Sequence, residues 1–509
     1  MAFDITRRHF FYGSLLAGAV PAGGFGSTPS LKALGYKSPN EKLNIASIGA
    51  GGKAASDIRG CAPTENIVAL CDVDDKQAAA IYKDYEKVPK YKDFRKMLDK
   101  EGGNIDAVIV TIPDHMHATA SIHCMERGKH VYTQKPLVRT IKEARLMVEA
   151  ANKYKVATQM GNQGYSNEGT RQCAEMIWAG EIGDVKEVHA WTDRPIWPQG
   201  LTKIPAPTPV PSTLDWDLWL GIANAREYTS GGEGYPEKRF GGNFYQHFNW
   251  RGFYDFGCGA LGDMACHILG APNMALKLGA PSSVECIKKE GTSDFQFPKA
   301  STIKFTFPAR GTMAPVTIYW YDGLMEQPKI EGVPAGEYLG DLPRIGGGRG
   351  GAGRGAAGAP AAAAAAPASG AIGQVFHWND GYLPTAERQK VTPDGSLFVG
   401  TKGMITTGTY GEQTRLLPVE KMRDYKYPSQ LLTRSPGHYR DWIRACKGGD
   451  PACSNFNVAA PFVEWMLLGV IALRVEGKIE YDPIKMRITN HAEANKYLAP
   501  AVRKGWSIA

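Results

Sequence analysis

Gly49-Ala50-Gly51-Gly52-Lys53-Ala54 fits the spacing G-x-G-x-x-A and closes an apolar, β-branched run that begins at Leu43. That spacing serves the binding of a dinucleotide. The first glycine permits a tight turn, the second lets the backbone approach a pyrophosphate, and the small third residue lets helix pack on strand. A helix starting here aims its N–H groups and the positive end of its dipole at the phosphates. A second apolar run, Ile67–Cys71, ends at Asp72. Asp72 stands at about the 20-residue offset expected of the carboxylate that binds the adenosine ribose. An acid there repels a 2′-phosphate, so the expected cofactor is NAD rather than NADP.

These residues need a parallel sheet to hold them, and the chain supplies its strands in order. Ile105–Thr111, His130–Thr133 and Val156–Met160 read as further buried strands. Helices are expected over about 118–127 and 140–154. Functional residues in such doubly wound sheets gather at the carboxyl ends of the strands. Thr111, Pro113, His115, His117, Gln134, Lys135, Gln163 and Tyr165 all fall at such ends. His115 and His117 lie two apart without a third ligand at helpful spacing, so they are placed along the cofactor and no metal is expected. Gln163 and Tyr165 are candidates for substrate contact. Downstream, Thr302–Phe307, Val316–Tyr321 and Leu397–Val399 alternate as strands of a second, mostly antiparallel sheet. The expected fold class is α/β: an N-terminal Rossmann sheet followed by an α+β domain with an open-faced sheet.

GAGGKA, Asp72, TIPDHMHA, GKHVYTQKPL and GNQG together resemble the Gfo/Idh/MocA oxidoreductase family, the glucose-fructose oxidoreductase and inositol dehydrogenase group. The stretch Asn249–His267 resembles the D-x-x-x-H segment of that family. The resemblance implies that Lys135 touches the nicotinamide and the reacting hydroxyl, that His267 is the catalytic histidine, and that Asp263 supports it. It also implies an often cis Lys-Pro bond and a second sheet that carries substrate contacts and assembles homo-oligomers. The sequence departs from the family in having Gln134 where a glutamate is usual, which removes a negative charge beside the lysine. If Asp263 and His267 share a helix, their i,i+4 spacing puts both on one face. Oxidising a sugar C–OH requires removing a proton and a hydride, and histidine suits the proton. His267 is therefore assigned as base, with Lys135 stabilising charge on the oxygen; lysine as the proton relay is the rival assignment. Trp250 is a candidate for packing on a sugar face, among many aromatics that core packing also explains.

The rest of the chain sets the context. Its 509 residues carry 59 Lys+Arg against 51 Asp+Glu, a net +8 without a dense basic block, which argues against nucleic-acid binding. Thr6-Arg7-Arg8-His9-Phe10-Phe11 followed by a short apolar run resembles a twin-arginine export signal. Residues 1–38 are read as signal and linker, 39–160 as the NAD-binding domain and 161–509 as the substrate-binding and oligomerisation domain. Gly346–Gly373 is a Gly/Ala/Pro insert too poor in apolar residues to order itself. No stable membrane span is expected; Trp465–Leu473 reads as a buried helix. Cys446 and Cys453 sit close enough in sequence for either a disulfide or two free thiols.

A periplasmic enzyme exported folded would carry its NAD across and regenerate it in place. The leading expectation is an NAD-dependent oxidoreductase acting on a sugar or glycoside hydroxyl. The alternatives are cleavage of a glycoside through transient oxidation and elimination, and a non-catalytic sugar-binding protein.

Overall fold

The computed structural model describes residues 41–231, 243–324, 326–342 and 394–506. The expected export signal over 1–38 and the insert over 346–373 lie outside the described residues.

Six strands form the first sheet: β1 (Asn44–Ile48), β2 (Asn66–Cys71), β3 (Lys90–Tyr91), β4 (Ala107–Val110), β5 (His130–Thr133) and β6 (Thr158–Met160). They pair in parallel in the order β3-β2-β1-β4-β5-β6. β4 and β5 are buried along their whole length, as a sheet covered on both faces requires. One face is sealed by Ile58, Ala78 and Ile81, and also by Trp442, Ile443 and Cys446 from the distant His438–Cys446 helix. A helix from the last quarter of the chain thus packs on the Lys53–Cys61 helix that follows the glycine turn. The fit is close: a Cβ on Gly60 would meet the Tyr439 ring at 2.3 Å.

The second sheet has nine strands in the order β13-β12-β11-β7-β10-β9-β8-β14-β15. They are β7 (Val185–Trp191), β8 (Ser283–Glu290), β9 (Ala300–Phe307), β10 (Val316–Asp322), β11 (Gly395–Gly400), β12 (Met404–Thr407), β13 (Arg415–Leu417), β14 (Lys478–Asp482) and β15 (Arg487–Ile488). Among these described strands only β7 and β10 pair in parallel; every other pairing is antiparallel. β9 and β10 alternate buried and half-buried residues, so one face meets the core and the other does not. The helices Gly259–Ile268 and Phe456–Ala472 lie against the buried face, and Trp465 packs edge-on against Phe305 and Phe307. Each such fully buried large apolar side chain contributes about 1.5–3 kcal/mol. The expected buried helix at Trp465–Leu473 is the latter part of Phe456–Ala472, and no described helix is long and apolar enough to cross a membrane. Cys446 and Cys453 are both free thiols.

Candidate active site

The glycine turn has the close approaches its sequence demands. Gly49 has φ +94°, and a Cβ there would stand 2.0 Å from the Thr111 carbonyl. A Cβ on Gly51 would stand 2.3 Å from the Gln77 carbonyl. Gly52, at φ +55°, leads into the Lys53–Cys61 helix, whose first turn no side chain caps. The Ala54 amide donates to the Gly51 carbonyl at 3.0 Å, and no side chain occupies the other leading N–H groups, so the cradle fits a dinucleotide. Ala54 is fully buried where helix meets sheet. Asp72 accepts from the Ala50 and Gly51 amides at 2.8 and 3.3 Å and from the Asp74 amide at 3.0 Å. Burial raises its carboxyl and these amides pull it back. Asp72 therefore ties the end of β2 to the glycine turn, beside the place a ribose would occupy.

At the neighbouring strand ends, Lys135 follows β5 through Gln134 and precedes a cis bond to Pro136. Its ammonium donates to the Asp263 carbonyl at 2.8 Å and to Asp263 Oδ1 at 2.7 Å. Asp263 and His267 stand one turn apart in the Gly259–Ile268 helix, both nearly fully buried. Burial acts to raise the Asp263 carboxyl, but Lys135, Arg251 and Arg194 outweigh it and hold it well below 3.8. Burial, with Lys135 beside it, holds the His267 imidazole well below 6.5. His267 is thus a neutral base at pH 7, and its Nδ1 has no hydrogen-bond partner among the described residues. The Tyr410 ring meets it edge-on at 4.7 Å.

Not every residue singled out from sequence joins this cluster. The ring of His115 is fully buried between Trp219 and Phe256 and donates from Nε2 to the Trp219 carbonyl at 3.2 Å. His117 sits between the carbonyls of Ile112 and Pro136, each 2.7 Å from one of its ring nitrogens. It braces the ends of β4 and β5, carrying Thr111, Pro113 and Lys135 indirectly. Thr111 donates to Asp57 Oδ2 at 2.9 Å, and Lys53 reaches Asp57 Oδ1 at 2.5 Å. Tyr165 is a core residue packed on Phe462, its hydroxyl 2.5 Å from the Asn273 amide. Gln163 lies beside the Tyr132 side chain. Trp250 lies in an aromatic cluster and donates to the His247 carbonyl at 3.0 Å.

Several residues of the site were not singled out from the sequence. Arg251 stacks on Phe248 and Trp250, at 3.8 and 4.2 Å, and donates from Nε to Asp263 Oδ1 at 3.0 Å. Trp250 thus packs against the guanidinium that reaches Asp263. Asp114, between Pro113 and His115, is buried beside Arg251, Lys135 and Asp263; burial pushes its carboxyl up to about 7 against the pull of the cations. Tyr410 comes from the turn between β12 and β13, more than a hundred residues beyond His267. Arg251 adjoins the GFYDFG stretch and was readable as a cation near the motif; Tyr410 was not readable at all.

Comparison with known proteins agrees with this fold. The model described as "Oxidoreductase family, NAD-binding Rossmann fold" (GFO_IDH_MocA) matches residues 43–162. The one described as "Oxidoreductase family, C-terminal alpha/beta domain" matches 184–290. Inositol 2-dehydrogenase of Salmonella typhimurium is 29% identical over 125 residues, 24% of this chain and 37% of that protein. Glycosyl hydrolase family 109 protein 1 of Shewanella sp. is 28% identical over 210 residues, 36% of this chain and 44% of that protein. The chain thus matches less than half the length of these curated relatives. The solved structure of the WlbA dehydrogenase from Bordetella pertussis in complex with NADH and UDP-GlcNAcA has a similar fold, with TM-score 0.52 and 14% identity. That likeness covers 87% of this chain and 99% of that one. The nucleotide-binding and C-terminal models of the Gfo/Idh/MocA oxidoreductase family thus match the chain in order, over 43–162 and 184–290, on the two-sheet fold.

Proposed function

We propose that the protein is an NAD-dependent oxidoreductase acting on a hydroxyl of a sugar or glycoside. The observation that carries this reading is the Lys135–Asp263 pair one helical turn from His267, at strand ends that adjoin the glycine turn. The nicotinamide, when bound, supplies the hydride acceptor. The chain's own residues handle the proton. His267, neutral and buried, accepts it from the substrate hydroxyl. Lys135 uses two of its three N–H groups on Asp263 and keeps the third for the substrate oxygen. There it stabilises the developing negative charge. Asp72 supports NAD over NADP, because a 2′-phosphate beside a carboxylate is repelled.

The twin-arginine pattern supports export to the periplasm with the cofactor already loaded. A tightly held NAD then favours a cycle that returns it to its starting state. Inositol 2-dehydrogenase among the relatives supports net oxidation of a polyol or sugar. The glycosyl hydrolase family 109 relative favours a second reading, in which transient oxidation permits elimination of a leaving group. Assaying purified protein with an aryl glycoside separates them. Bound-NADH absorbance that accumulates with a sugar supports oxidation; phenol release without net NADH supports cleavage. Protein that purifies without nicotinamide and responds to no sugar sinks both.

A further inference from the structure

The Gln134 departure from the family motif sits against a buried carboxylate that no motif contains. Asp57, in the Lys53–Cys61 helix, is fully buried. It accepts four hydrogen bonds from four separate side chains. Lys53 Nζ and Tyr439 Oη reach Oδ1 at 2.5 and 2.7 Å; Thr111 Oγ1 and Gln134 Nε2 reach Oδ2 at 2.9 and 2.8 Å. Four donors match the acceptor capacity of one ionised carboxylate. The Gln134 amide continues the chain: its Oε1 accepts the Lys135 backbone N–H at 3.3 Å. Its side chain lies close against Gly161, where a Cβ would meet it at 2.7 Å.

We infer that Asp57 is a positioning residue of the reaction centre, supplying the buried negative charge that Gln134 lacks and holding Lys135 through the Gln134 amide. The inference rests on the function proposed above. A glutamate at position 134 would set two buried carboxylates at hydrogen-bond distance, and they could not both ionise without strong mutual repulsion. An amide removes that conflict, because it donates to Asp57 on one side and accepts from Lys135 on the other. The same carboxylate holds the glycine-turn helix, the end of β4 and the His438–Cys446 helix. Cofactor cradle and reacting lysine are thereby set from one point.

The test compares the full-length wild type with Asp57→Asn, Gln134→Glu and the double variant, each with its melting temperature recorded. NADH binding is read by fluorescence titration, and turnover by kcat and KM on a sugar the wild type oxidises. Each single variant is expected to lower kcat by about tenfold to a hundredfold and to loosen NADH by about tenfold, with sugar KM little changed. In the double variant the two side chains exchange roles: the amide now on the helix donates to the carboxylate now at the strand end. There kcat and NADH binding recover to within about fivefold of wild type, a coupling that independent sites would not show. Losses in the double equal to the product of the singles overturn the inference, as does an Asp57→Asn protein with wild-type kcat and NADH binding. If Asp57→Asn does not fold, Tyr439→Phe removes one donor; a several-fold fall in kcat at unchanged melting temperature supports the inference and an unchanged kcat overturns it. A wild type that binds NADH yet oxidises no sugar defeats the proposed function, and the NADH-binding comparison alone then decides for or against Asp57.

Discussion

Lys135 is held to Asp263 by two contacts, 2.8 Å to its carbonyl oxygen and 2.7 Å to its Oδ1. A side chain from the end of a Rossmann strand is thereby joined to the helix that carries His267, at the candidate site. Such a double hold fixes the direction of the remaining ammonium N–H. Preorganised donors of this kind cost no reorganisation during reaction.

Lys135→Met should remove that donor while leaving the glycine turn intact. We expect kcat to fall about 10²- to 10³-fold, the loss typical of an oxyanion-type donor. NADH affinity should change little by comparison. Steady-state kinetics beside an NADH titration checks this; a variant that still turns over at the wild-type rate refutes the role.

His267→Asn should lower kcat by about 10²- to 10⁴-fold, the usual contribution of a positioned base. The imidazole is held well below 6.5, so the acid limb of the wild-type pH–rate profile should fall below pH 6.5 and not at it. The limb should disappear in the variant. An acid limb that persists unchanged in His267→Asn would move the base elsewhere, with the lysine relay as the first candidate.

Asp263 links proton binding to stability in the usual carboxylate direction. Its folded value lies below the unfolded 3.8, so its contribution is full above 3.8 and is lost as pH falls toward the folded value. Asp263→Asn strands Lys135 and Arg251 without their acceptor, and breaking such a buried pair costs about 3–5 kcal/mol. Urea melts should show this gap at pH 7 and a narrower one at pH 3. A gap of the same size at both values would contradict the pairing.

Asp114 runs the opposite way. Its folded carboxyl stands at about 7, above the unfolded 3.8, so its stabilising effect is full below 3.8 and is lost as pH rises toward 7. Asp114→Asn should therefore gain stability relative to wild type between pH 4 and pH 8. If activity needs one ionisation state of Asp114, a step near pH 7 should vanish with it. Parallel denaturant melts at the two pH values test the first effect, and an unchanged difference between the proteins refutes it.

What the sequence determined by itself was whatever short segments dictate. The glycine turn and Asp72 are legible because one βαβ unit imposes fixed spacings on them. Asp263 and His267 are legible as a pair because helical geometry aligns residues four apart. The two sheets follow from runs of buried or alternating apolar residues, as β4 and β9 illustrate. Other features only the tertiary structure decided. His115 and His117 are two residues apart, yet one enters an aromatic core and the other braces two strand ends. Tyr165 and Trp250 are aromatic at suggestive positions, but burial of apolar area drew Tyr165 into the core and made Trp250 a platform for Arg251. Asp57 meets Tyr439, and His267 meets Tyr410, across stretches of chain with no spacing rule between them. Contacts between distant segments depend on how whole layers pack, and no local pattern in a single chain encodes them.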